Sequence, residues 1–169
     1  MSKSNPDPRS ARPAINQCRF TECRRYRYTL ERDFGAGKGT CVFIGLNPST
    51  ADEFQNDPTV SRCMNRAQDW GFRCFVMLNA YAYRATDPKD MKAHSEPVGK
   101  DNDNWIIKSC ESADRIVCCW GNHAQHLNRS SVLLKLLKKY TLHRMGEPTS
   151  AGEPRHPLYL PKNIALQEI

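Results

Sequence analysis

Three apolar runs of strand length dominate the chain, and each stops at a polar, turn-rich segment. Thr40-Cys-Val-Phe-Ile-Gly45 leads into Gly45-Leu-Asn-Pro-Ser-Thr50, and Phe72-Arg-Cys-Phe-Val-Met-Leu78 into Asn79-Ala-Tyr-Ala-Tyr-Arg-Ala-Thr-Asp-Pro88. Arg115-Ile-Val-Cys-Cys-Trp120 leads into Trp120-Gly-Asn-His-Ala-Gln125. Near-continuous apolar content marks strands covered on both faces, as in a parallel sheet. Helical patterns separate the runs. Asp57-Pro58 starts one, with Asp57 as cap and Pro58 in the first turn; Val60, Met64 and Ala67 follow at helical spacing, and Gly71 ends it. Asp101 to about Ser112 is a second, with Trp105, Ile106 and Ile107 on its apolar side. Ser130 to Tyr140 is a third, with Val132, Leu133, Leu136 and Leu137 inward. Thr141-Leu-His-Arg-Met145 is a short fourth strand, and Tyr26-Arg-Tyr-Thr-Leu30 alternates as an N-terminal one. The latter is expected to form an antiparallel hairpin with Thr40–Gly45 across the loop Gly35-Ala-Gly-Lys-Gly39. The expected fold is α/β: a three-layer α/β/α sandwich on a central, mainly parallel four-stranded sheet, plus an N-terminal antiparallel strand.

A chain of 169 residues with 39% hydrophobic content suits one such domain and argues against wholesale disorder. No run reaches the roughly 20 apolar residues that span a bilayer, and the first residues hold no apolar signal core. A cytoplasmic protein without a membrane partner is expected. Residues 1–15, proline-rich with polar neighbours, read as a disordered basic arm; residues 16–169 read as the single domain. Of the net charge of +7, residues 1–32 carry eight Lys/Arg against three Asp/Glu, so the excess sits at that end. Such an arm suits phosphate contacts as well as simple solubility. The eight cysteines lie largely inside apolar runs and show no CxxC, which is how small buried hydrophobes look in a reducing compartment. No metal or cofactor is expected.

Ligands of parallel α/β sheets sit beyond the carboxyl ends of the strands. The polar segments named above, with Gly152-Glu-Pro-Arg-His-Pro-Leu-Tyr-Leu-Pro161 after the fourth strand, therefore converge on one crevice. Gly35-Ala-Gly-Lys-Gly-Thr40 has the look of a phosphate loop, but Arg32 stands where its first glycine belongs. A strand follows rather than a helix, so no helix N-terminus is available for phosphate.

These segments also resemble motifs of the uracil-DNA glycosylase superfamily. Gly45-Leu-Asn-Pro48 is similar to its first motif, especially in the mismatch-specific branch. Leu78-Asn79 with Arg84-Ala85 resembles the segment holding its pyrimidine-reading Asn, and Trp120-Gly-Asn-His-Ala-Gln125 the Trp-Gly-x-His-Ala-Gln segment of its uracil-removing enzymes. His156-Pro157 resembles the start of its His-Pro motif. Order and spacing agree over roughly residues 40–160. Most closely, the chain resembles an uncharacterised bacterial and phage family, domain of unknown function 1643.

The resemblance implies a metal-independent N-glycosylase acting on DNA, and implies roles that chemistry supports. His156 would donate to the anion that develops on the leaving base. Asn79 would read the edge of a flipped pyrimidine. Asn47 would position the attacking water. Gly45, Leu46, Pro48, Ser49, Tyr81 and His123 would shape the base pocket. Arg84, Arg155 and Lys162 would hold phosphates, and Leu158 or Leu160 would wedge the DNA open. Two departures matter. The most efficient family members have an acid where Asn47 stands, and an amide cannot act as general base. Asp52, Glu53 or Asp57 would have to supply the carboxylate. Those enzymes also block the pyrimidine C5 position with a Tyr where this chain has Ser49, which leaves room for a 5-substituent. The expected substrate is a damaged or 5-modified pyrimidine, and the protein a monomer with DNA as partner. A non-catalytic modified-base or DNA-binding module and a nucleoside or nucleotide hydrolase are the alternatives.

Overall fold

The computed structural model describes residues 15–169. The arm expected over residues 1–15 therefore falls, apart from Ile15, outside the described residues. One mixed sheet of seven strands runs through the molecule: β1 (Ile15–Phe20), β2 (Arg27–Asp33), β3 (Thr40–Gly45), β4 (Cys74–Asn79), β5 (Arg115–Cys118), β6 (His143–Met145) and β7 (Leu166–Glu168), in the order β1-β2-β4-β3-β5-β6-β7. The helices are α1 (Pro58–Asp69), α2 (Pro88–Ala93), α3 (Asn102–Glu111) and α4 (Arg129–Leu136).

The α/β class agrees with the sequence, and the parallel pairs β4·β3, β3·β5 and β5·β6 lie at the centre. Alternate residues of these strands feed two cores. Val42, Ile44, Val76, Leu78 and Ile116 pack with α3 and α4 residues on one face; Cys41, Phe43, Phe75, Met77 and Val117 pack with α1 residues on the other. The sheet is wider than expected. Antiparallel β1 and β7 extend its two edges.

The expected hairpin is absent. β2 pairs antiparallel with β4, and β3 is flanked instead by the parallel strands β4 and β5. β3, with five of its six residues buried, takes the middle, and β2 is displaced by one place. The glycine loop makes that crossing. Gly37 has φ +94°, and a Cβ there would lie 2.6 Å from the carbonyl oxygen of Gly71. Lys38 N–H donates to the same oxygen at 3.0 Å. The loop is thus moulded onto the turn before β4.

Asp57 caps α1 as expected, its Oδ1 accepting from Val60 N–H at 2.9 Å. α4 ends at Leu136 rather than Tyr140, and Val132 is 40% exposed rather than inward. Its inward stripe is Arg129, Ser130 and Leu133. Among the described residues, no helix is long and apolar enough to cross a membrane.

Candidate functional site

Parallel pairing sets Gly45 beside Asn79, so the segments that follow β3 and β4 leave the sheet side by side. Together with those after β5 and β6 they enclose a cleft of about 590 Å³. Leu46, Asn47, Ser49, Asn79, His123, His156 and Leu158 all line it, so most of the sequence-predicted pocket is assembled. Gly45 lies one step behind. A Cβ there would meet Asn79 Nδ2 at 3.2 Å and Met77 Cε at 2.6 Å, so the missing side chain leaves space for the Asn79 amide. The Pro48 carbonyl accepts from Ala85 N–H at 2.9 Å and fastens the two loops together.

Other expected site residues lie elsewhere. Tyr81 is buried, and its hydroxyl donates to the His126 carbonyl at 2.6 Å. β4 ends at Asn79, so strand alternation cannot be extended to Tyr81. Leu160 belongs to the core beside α1. Arg155 and Lys162 are exposed and outside the cleft; Arg155 Nε donates to the Glu147 carbonyl at 2.9 Å. Arg84 lines a side cavity of about 390 Å³ with Arg24 and Arg25, which shares Ser49, Ala85 and Thr86 with the main cleft. The Ser49 and Thr86 hydroxyls, 3.1 Å apart, form the ridge between them.

The asparagines at the two strand ends are held in opposite senses. Asn47 donates through Nδ2 to the Ala85 carbonyl at 2.8 Å, which leaves Oδ1 as its free acceptor. Asn79 accepts through Oδ1 from Arg27 Nη2 at 3.3 Å, which leaves Nδ2 to donate. Arg27 is a site residue that sequence reasoning missed. It is 1% exposed and lines the cleft, with Nη1 donating to the Ala51 carbonyl at 3.0 Å. Burial pushes its pKa down to about 10, against smaller opposing effects of Cys18 and Asp57. It remains a cation at physiological pH.

Of the three carboxylates considered, only Asp57 lines the cleft. Asp52 accepts from Phe54 and Gln55 N–H, and Glu53 pairs with Arg24 at 2.9 Å.

Both histidines are neutral hydrogen-bond donors. Lys92 Nζ lies 2.8 Å from His123 Nδ1. An ammonium only donates, so Nδ1 accepts and the proton sits on Nε2. Leu158 N–H donates to His156 Nδ1 at 3.4 Å, which selects the same tautomer. Burial holds both imidazoles below their ordinary pKa; Lys92 adds to this at His123, while Asp57 opposes it at His156. Trp120 closes the wall, its Nε1 donating to the buried Glu153 carboxylate at 2.9 Å. Tyr159, also missed, stands 88% exposed on the rim. Among the described residues, no cluster of three or more His, Cys, Asp or Glu is arranged to hold a metal ion.

A family model described as a protein of unknown function, DUF1643, matches residues 27–158. The match begins at Arg27 and ends at Leu158, so it takes in every lining residue of the cleft except Tyr159. No curated protein and no solved structure matches the chain.

Proposed function

We propose, from the premise that the chain belongs to the DUF1643 family, that it recognises a base extruded from DNA and acts as an N-glycosylase on a damaged or 5-modified pyrimidine. One observation carries the reading. Asn79, able to read a pyrimidine edge, and His156, able to donate to a leaving base, line one cleft of about 590 Å³ at the strand ends. The motif resemblance to uracil-DNA glycosylases supports the same reading. Ser49, small and on the wall, leaves space beside a pyrimidine C5. The adjoining arginine-lined cavity suits backbone phosphates.

In the proposed reaction the C1′–N bond breaks, its electron pair leaves with the base, and a water oxygen bonds to C1′. His156 Nε2–H donates to the base oxygen that gains charge. Asn47 Oδ1 accepts from the water and orients it. Asp57 takes the released proton, using a lone pair not engaged by Val60 or Ala51 N–H. A second reading is a non-catalytic module for modified bases. It is favoured by Asp57 being the one carboxylate lining the cleft while serving as the cap of α1.

The test is incubation of the protein with oligonucleotides carrying uracil, 5-hydroxymethyluracil or mismatched thymine, scored for abasic sites. Base release from at least one is expected, reduced roughly 100-fold in His156→Ala, the usual cost of one such donor. Salt-dependent binding without release would select the module. Activity confined to free nucleosides would sink both readings.

A further inference from the structure

Four arginines are buried among the described residues: Arg27, Arg32, Arg66 and Arg129. Three of them serve the fold. Arg129 pairs with Asp103 at 2.5 Å. Arg66 donates to the carbonyls of Leu160, Pro161 and Lys162, tying the segment after His156 to α1. Arg32 donates to Asn56 Oδ1 and the Asp52 carbonyl. Arg27 differs from all three, because it alone lines the main cleft. Among the described residues no carboxylate lies within ion-pair distance of it. Its Nε is buried without an acceptor, and its two other bonds go to neutral oxygens, on Ala51 and Asn79. Asp57 shares the cleft, but its oxygens accept from the backbone N–H groups of Val60 and Ala51.

A buried cation without a counter-ion carries a large desolvation cost, which an anion placed beside it relieves. We infer that the cleft floor is an anion seat, formed by the Arg27 guanidinium and the Asn79 carboxamide that it orients. Because Asn79 Oδ1 faces Arg27, Nδ2 is the group offered to a ligand. The ligand atom there is an acceptor rather than an N–H. If the base-pocket reading above holds, on which this assignment of the ligand rests, the occupant is a pyrimidine with negative charge on its ring edge. A ring acidified by an electron-withdrawing 5-substituent has that chemistry. Ser49, on the wall of the same cleft, leaves space for such a substituent. The field of Arg27, confined by apolar walls that include Leu46 and Trp120, favours the charged form over a neutral ring of similar size.

The experiment is calorimetric titration of the full chain at neutral pH with 5-nitrouracil, whose ring N–H is ionised there, and with thymine, whose ring N–H is not. Acetate and inorganic phosphate are run alongside. Wild type should bind 5-nitrouracil at least tenfold tighter than thymine. Arg27→Met should abolish that preference, and Arg27→Lys should keep part of it. Asn79→Asp supplies the missing carboxylate while leaving Arg27 in place. It should also abolish the preference, with a melting temperature no lower than wild type, so loss of fold cannot mimic the result. Equal affinity for the two bases in wild type would overturn the anion seat and leave the base pocket standing. Binding of acetate or phosphate through Arg27, with no base bound, would keep the seat and remove the base reading. No binding by any of the four would overturn both.

Discussion

At the floor of the cleft Arg27 and Asn79 are 1% and 2% exposed, and each is tied to backbone or to the other. At the rim Tyr159 is 88% exposed. A large aromatic ring left in water beside a cleft buries little in the folded chain. The floor residues are thus held by the fold, while the rim ring adds little to it; on the proposed reading both face the ligand. Substitutions behind or at the floor should change stability. Substitutions at the rim should change binding alone.

The largest expected effect lies behind the cleft wall. Glu153 is buried and accepts from Trp120 Nε1 and from Ser130 Oγ, the latter at 2.6 Å. Glu153→Ala leaves both donors buried without a partner, at about 1–3 kcal/mol each. The melting temperature should fall by roughly 4–24 °C, at about 2–4 °C per kcal/mol for a chain of this size. Glu153→Gln keeps an acceptor oxygen and should cost less than half as much. A scanning-calorimetry series settles it; equal melting temperatures for all three would remove the structural role of Glu153 behind the wall.

The rim gives the opposite pattern. Tyr159→Ser should leave stability within about 0.5 kcal/mol, as exposed positions do. It should weaken DNA binding by about 1–3 kcal/mol, the worth of one ring stacked on a base. Unchanged DNA affinity would reduce Tyr159 to incidental surface.

The sequence disclosed these two regions unequally. β3 and β4 were legible because strands buried on both faces carry unbroken apolar runs, and parallel topology then brought their end loops together. β1 was not, since most of its described side chains are exposed and show no apolar alternation. α2 carries the same Asp-Pro start as α1, with Asp87 as cap, but at six residues it is too short for periodicity to register. Arg27 was hidden by its neighbours. Beside Arg24 and Arg25 it reads as one more charge of a basic segment, and no charge count tells which cation faces inward. The aromatic Tyr159 was passed over because Leu158 and Leu160 looked like the wedge. Leu160 instead fills the core under α1.

A smaller effect concerns the link between Lys92 and His123. Lys92→Met removes a cation that lowers the imidazole's affinity for a proton. The His123 pKa should move up toward its ordinary value, by less than a full return because burial is the larger cause. Proton NMR titration of the ring reads the shift, and a downward movement would contradict the Nδ1 acceptor assignment.

The smallest effect is in the pH dependence of stability, and its sign follows from burial. His156 has a folded-state pKa below its ordinary 6.5, with burial the leading cause. As pH falls through that value the unfolded chain takes up the proton first. Proton uptake by the unfolded state favours unfolding. The contribution of His156 is therefore complete above about 6.5 and is lost as pH drops toward the folded-state value. His123 acts with the same sign, through lesser burial and Lys92. Carboxylates titrate over the lower part of the same range, so melting curves of His156→Gln must be set against wild type. The difference between the two should grow steadily as pH falls from neutral, with wild type losing stability faster. Parallel curves would mean that His156 is solvated like the rim rather than desolvated like the floor. Its neutral donor character would then rest on the ambient pH alone, without help from burial.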